Sequence, residues 1–277
     1  MTAIELDPVV RAGELAIRLE TLGLAATVVV ACVLGALIAR RTPATAGRLD
    51  GEPLQPGDLV FVVLAAIPGG VIGGRLGYGL IHLDYYSARP AALLDPGQGS
   101  LELVVGVVGA ALTGGYAARL LTGSVGPWFH VAAFPTLLVI GAGKIAMAFG
   151  GTGQGLPNGG SWATSYLGAG PWGSLAPELP SHPAQLYEAA ATALVAVGLL
   201  AASALGAFRR ADGTAWLVGV AGWAAARTFV ASIWRDAPVL GPLVAGQLLA
   251  IALFAGSLGL VVALRRPRPV RWPRGVS

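Results

Sequence analysis

Seven apolar runs divide this 277-residue chain, and each is long enough to cross the hydrocarbon core of a bilayer, which takes about 20 residues of helix. They are read as residues 22–39, 59–80, 101–121, 129–148, 186–207, 214–233 and 240–264. Hydrophobic residues make up 55% of the chain and charged ones only 12%, more apolar surface than a water-soluble core can hide. The expected fold class is all-α: a polytopic membrane bundle of about seven transmembrane helices, with residues 1–277 forming a single integral membrane domain. Cys32 is the one cysteine and lies inside an apolar run, so a disulfide framework is excluded and a packing role is expected. Three scattered histidines without an acidic cluster give no metal site.

Arginine placement orients the bundle. Arg40, Arg41, Arg48, Arg119, Arg209, Arg210, Arg265, Arg266, Arg268, Arg271 and Arg274 fall on one side. Arg11, Arg18, Arg75, Arg89, Lys144, Arg227 and Arg235 fall on the other. The positive-inside rule then predicts a cell-membrane protein with its N-terminus outside and its C-terminus cytoplasmic, ending in a basic tail at 265–277. The net charge of +4 fits this topology better than nucleic-acid binding. Residues 1–12 lack a basic stretch ahead of a short apolar core, so the first run is expected to serve as an uncleaved anchor.

The connections differ in kind. Residues 42–57 form a cytoplasmic loop containing proline and glycine. Residues 82–100, with Tyr85, Tyr86, Pro90 and Pro96, are expected at the outer interface. Residues 149–185, rich in glycine and proline and carrying Trp162, Tyr166 and Trp172, are expected to fold as a small outer-face cap. Pro68 and the glycines at 69, 70, 73 and 74 predict a kinked second span packed closely on a neighbour. No internal repeat is visible, which counts against a small transporter.

Ionisable groups inside apolar spans are costly and mark candidate sites. Arg75, flanked by glycines and followed by Tyr78, either clamps an anionic phosphate or snorkels to the interface. Lys144, the only lysine, either holds a lipid phosphate, pairs with an acid or anchors its span. Arg227 is the deepest cation, and the spacing of eight puts Arg235 on roughly the same helical face. Arg235 and Asp236 form either an interfacial pair or part of the site. Ser181 is read as the N-cap of the helix holding Gln185, Tyr187 and Glu188, with Pro183 in its first turn. Glu188 would lie inside the bundle, kept ionised by Arg75, Arg227 or Lys144. His182 is read as a proton acceptor or as a cap-stabilising residue. His130 is read as a core or interface residue.

The stretch Ala66-Ile67-Pro68-Gly69-Gly70 through Gly74-Arg75-Leu76-Gly77-Tyr78, followed by Asp84-Tyr85-Tyr86, resembles the second-span signature of prolipoprotein diacylglyceryl transferases. His182-Pro183-Ala184-Gln185-Leu186-Tyr187-Glu188 is similar to their HPxQLYE motif, and Pro171-Trp172-Gly173 to their PWG. The Arg227 helix with Arg235-Asp236 and Gly246-Gln247-Leu248 resembles the family's closing motifs. The likeness spans about residues 17–264. It implies transfer of a diacylglyceryl group from phosphatidylglycerol to the lipobox cysteine of prolipoprotein signal peptides, within the bilayer and with no metal or cofactor. It also implies Arg227, His182 and Glu188 as catalytic residues. Arg75, Tyr78, Lys144, Gln185, Tyr187 and Arg235 would bind substrate.

The chain departs from the family pattern at several positions. Val104 to Gly109 stand where the family carries HGGLIG. Lys144 replaces an arginine that is followed by asparagines, Thr152 stands near the usual glutamate, Glu20-Thr21 replaces YG, and Ala231 replaces an acid. Lysine lacks the bidentate fork of arginine. A family-derived protein that binds anionic lipid or lipoprotein without transfer is the alternative reading.

Overall fold

The computed structural model describes residues 2–47, 52–95, 99–168 and 170–266. Seven long apolar helices run through it: α1 (Leu19–Ala39), α2 (Asp58–Ile81), α4 (Leu103–Thr122), α5 (Gly126–Phe149), α6 (Ala184–Ala204), α7 (Thr214–Val230) and α8 (Ala245–Arg265). A short α3 (Leu83–Ala88) and a 3-10 turn (Pro90–Leu93) follow α2. The chain is a multi-pass membrane protein by the length and composition of these helices. Its surface agrees, because Val29, Leu64, Leu112, Leu194 and Phe229 are each more than 60% exposed along the spans. Such a shell is stable only against lipid.

α5 is the central helix and packs on α1, α6 and α7, while α2 lies on α4 and α7 on α8. The core between α5, α6 and α7 is built from Leu137, Ile140, Leu199, Trp216, Val220 and Trp223. Contact between α2 and α4 is backbone against backbone. A Cβ on Gly109 would stand 2.3 Å from the Gly69 carbonyl oxygen, and one on Gly73 would stand 2.6 Å from that of Val105. Small residues permit this approach in membranes, where dispersion between helices replaces the hydrophobic drive. The close packing expected of the second span is therefore present, and Pro68 sits within an uninterrupted helix.

Small sheets decorate the bundle. β1 (Thr2–Glu5) pairs in parallel with β4 (Thr164–Leu167), tying the N-terminus to the 149–185 segment. β2 (Val9–Ala12) and β3 (Leu15–Arg18) form a hairpin leading into α1. Tyr166, Ser165 and Ser181 are fully buried within this segment, so it is a folded cap.

Two expected helix starts move and one expected alignment fails. The last span starts at Ala245 rather than 240, because β5 (Pro238–Leu240) and β6 (Leu243–Val244) turn through Gly241 at φ +56°. α6 starts at Ala184 with Pro183 before it; Ser181 is no N-cap, its hydroxyl donating to the Leu179 carbonyl instead. α7 gives way to a 3-10 turn at Ala231–Ile233, so Arg235 lies beyond the helix and the eight-residue spacing does not align it with Arg227. Arg48, Pro96 and the tail beyond Arg266 lie outside the described residues.

Candidate functional site

The carboxylate of Glu188 is the hub of a buried ionic cluster under the cap. α6 carries it one turn in from its start, which places it against the C-terminal halves of α5 and α7. The Nη1 of Arg227 donates to both carboxylate oxygens, at 2.8 and 3.0 Å. Lys144 Nζ lies 3.0 Å from Oε2, and Trp223 Nε1 donates to Oε1 at 3.1 Å. Glu188 is completely buried, and Lys144 and Arg227 are nearly so. A lone carboxylate would not stay ionised there; two cations and an indole N–H satisfy it. Of the three partners expected for Glu188, the fold supplies Arg227 and Lys144. Lys144 is thereby an acid's partner rather than an interfacial anchor.

Glu102, which the motif reading passed over, completes the cluster. Its Oε2 accepts from the Val105 amide at 2.7 Å, capping α4, and its Oε1 lies 3.5 Å from Arg227 Nη2. The signal was available: an acid immediately before an apolar run is both a helix cap and an intramembrane charge. Two carboxylates and two cations balance formally. Indole faces wall the cations, with Lys144 Nζ 4.5 Å and the Arg227 guanidinium 5.2 Å from the Trp234 ring centre. The Nε of Arg227 is buried with no hydrogen-bond partner. An unpaired N–H of a buried guanidinium is an open donor for an anionic oxygen.

Around this centre stand the other residues of the 182–188 motif. Asn158 Nδ2 and Tyr187 Oη approach His182 Nδ1 at 3.4 and 3.3 Å. The amide nitrogen of Asn158 only donates and the Tyr187 hydroxyl can donate or accept, so the role of Nδ1 follows the ring tautomer. Gln185 is fully buried; its Nε2 donates to Tyr166 Oη at 3.0 Å while its Oε1 has no partner. Burial pushes the Tyr166 phenol up, opposed by that bond from Gln185. Thr152, at the start of the cap, donates to Glu20 Oε2 at 2.9 Å and ties α1 to the end of α5.

Arg75 and Arg235 do not join the cluster. Arg75 donates to the carbonyls of Leu93, Ala92, Asp95 and Ser100, pinning the turn after α3 to α2. Tyr78, one turn on, stacks on His82 with ring centres 4.2 Å apart. Arg235 donates to the carbonyls of Gly155 and Leu175 and to Ser181 Oγ, and so stitches the cap to the end of α7. Among the described residues it forms no ion pair with Asp236. Both arginines are used on backbone carbonyls, which need donors this close to the membrane. His130 is half-buried on α5, away from the cluster. Among the described residues no three His, Cys, Asp or Glu side chains come together as a metal site.

Comparison with known proteins shows the family. The family model described as prolipoprotein diacylglyceryl transferase matches residues 8–263. The phosphatidylglycerol–prolipoprotein diacylglyceryl transferase of Methylocella silvestris is 32% identical over 272 residues, covering 94% of this chain and 95% of that one. The enzyme of the same name from Rhodospirillum centenum is 32% identical over 247 residues, 84% of each chain. That of Geobacter sulfurreducens is 28% identical over 227 residues, 80% of this chain and 83% of its own. With a match across nearly its whole length, the chain belongs to the prolipoprotein diacylglyceryl transferase family.

Proposed function

We propose that the protein moves a diacylglyceryl group from phosphatidylglycerol to the cysteine thiol of a prolipoprotein lipobox. The thiolate sulfur forms a bond to the glyceryl carbon, the bond from that carbon to the phosphate oxygen breaks, and glycerol phosphate leaves with the electron pair. The thiol proton must be taken up nearby, since the thiolate is the nucleophile. The observation that carries the reading is the buried Arg227 guanidinium, held on one edge by Glu188 and leaving Nε unpaired. Fixed cations in a site shielded from water stabilise charge developing on a leaving phosphate.

In this scheme Arg227 faces the phosphate, Lys144 adds positive charge, and Glu188 holds both in place. His182, the imidazole at the head of the 182–188 motif, takes the thiol proton. Gln185 and Tyr187 shape the acceptor side. Arg75 and Arg235 act by holding the turn after α3 and the cap in place, and Tyr78 lies one turn from Arg75 on the same helix. Lys144 stands where the family motif carries an arginine, with Glu188 as its counter-charge. The chain is read as one integral membrane domain of the bacterial cell membrane, with the cap outside and the C-terminus cytoplasmic. Prolipoprotein signal peptides enter from the bilayer.

The test is transfer of labelled diacylglyceryl from phosphatidylglycerol to a lipobox peptide by purified protein in proteoliposomes. Label on the cysteine, lost in Arg227→Ala, is the expected result. Peptide and lipid binding without label, beside a competent family member, would overturn it. Protease access to residues 149–185 only from the cytoplasmic face would overturn the orientation.

A further inference from the structure

The end of the bundle opposite the cap carries a separate cationic cluster. α6 stops at Ala204, α7 starts at Thr214 and α8 ends at Arg265. A 21-residue helix is about 30 Å long, so a full hydrocarbon thickness separates this end from Gln185. The connection at 205–213 turns sharply, with Gly206, Phe208, Ala211 and Gly213 all at φ between +47° and +89°. Phe208 and Ala211 hold a side chain in a backbone conformation that side chains rarely adopt.

That turn places two surfaces next to each other. Arg209, Arg210 and Arg265 line a cavity of about 440 Å³ together with Asp212 and Thr214. Phe208 forms part of its wall. The same Phe208 closes an apolar groove of about 180 Å³ between α6 and α7, which runs past Val195, Gly198 and Gly222. Nothing stands within 4 Å of where a Cβ on Gly198 would lie, so the groove is open there. Among the described residues none of the three arginines forms an ion pair. The one acid in the cavity, Asp212, already accepts from the amide and hydroxyl of Thr214 through Oδ1.

We propose that this end of the bundle binds an anionic phospholipid. Its phosphate is held by Arg209, Arg210 and Arg265, and one acyl chain lies in the α6–α7 groove beside Gly198. The charge complement of three arginines is a phosphate, and guanidinium groups take it through paired N–H donors. Continuity with the groove through Phe208 selects a lipid over a free anion, because only a lipid fills both surfaces at once. Basic pockets between membrane helices on the side of the basic loops are suited to such head groups. This site shares no residue with the cluster around Glu188 and does not depend on the transfer reaction.

The experiment uses the full chain in phosphatidylcholine nanodiscs doped with a phosphatidylglycerol that carries a photoactivatable group on its acyl chain. Crosslinks are mapped by mass spectrometry. We expect labelling of residues 195–222, weakened roughly fivefold for each arginine changed to alanine and abolished in Gly198→Phe, which fills the groove. Thermal unfolding of each variant serves as the folding check. Equal labelling by a photoactivatable phosphatidylcholine would overturn the proposal. So would displacement of the label by inorganic phosphate alone, or labelling unchanged in the triple alanine variant of Arg209, Arg210 and Arg265.

Discussion

Replacing Glu188 by glutamine removes one charge from the ionic cluster while keeping its shape. The substituted side chain would still accept from Trp223 through its amide oxygen. It would no longer neutralise Arg227, now held at 2.8 and 3.0 Å, or Lys144 at 3.0 Å. At an effective dielectric near 20, each unit-charge contact at this distance is worth about 5 kcal/mol before desolvation is counted. Desolvation offsets much of that, and breaking a buried pair by removing one partner costs about 3–5 kcal/mol. The remaining acid, Glu102, lies 3.5 Å from Arg227, so Lys144 is the cation left without a close counter-charge. Glu188→Gln combined with Lys144→Met restores the balance as one Arg227–Glu102 pair. We therefore expect Glu188→Gln to be less stable than wild type by about 3–5 kcal/mol, and the double variant to recover at least a third of that loss. Unfolding in mixed micelles at graded denaturant measures both, and the peptide-labelling assay reads activity, expected to be lost in both. Strictly additive effects of the two substitutions, with the double variant the least stable, would refute the ionic coupling.

Other sites give independent checks. Gly109→Ala drives a methyl into the Gly69 carbonyl, a backbone atom that cannot rotate away; destabilisation of about 1–3 kcal/mol or more is expected by thermal unfolding. Arg235→Ala removes the donors that hold Gly155, Leu175 and Ser181, so limited proteolysis should cut within 150–181 faster while the seven spans stay folded. Burial raises the Asp212 carboxyl, but the hydroxyl and amide of Thr214, its own amide and the Arg210 charge together hold it below its ordinary value of 3.8. A depressed folded-state pKa gives stability that is fully present above pH 3.8 and lost as the pH falls through the lower value. The stability difference between wild type and Asp212→Asn should accordingly shrink only below about pH 4.

The seven spans and the class of the protein were legible in the sequence because a bilayer imposes one length on every apolar helix, whatever its partners. The inward position of Glu188 was legible too, since a carboxylate in an apolar run has to be met by a cation. Which cation meets it was decided by packing. Lys144 and Arg227 reach Glu188 because α5 and α7 both flank α6, and their separations in sequence of 44 and 39 residues carry no such information. Arg75 and Arg235 carry the same chemical group as Arg227. They end on backbone carbonyls because a turn and a cap happen to fold over them. Glu102 enters the cluster only because the fold brings the start of α4 to the end of α7. Sequence alone determined that charges had to be paired inside this membrane; the tertiary structure chose the pairs, because pairing energy depends on distances of about 3 Å that only the assembled helices set.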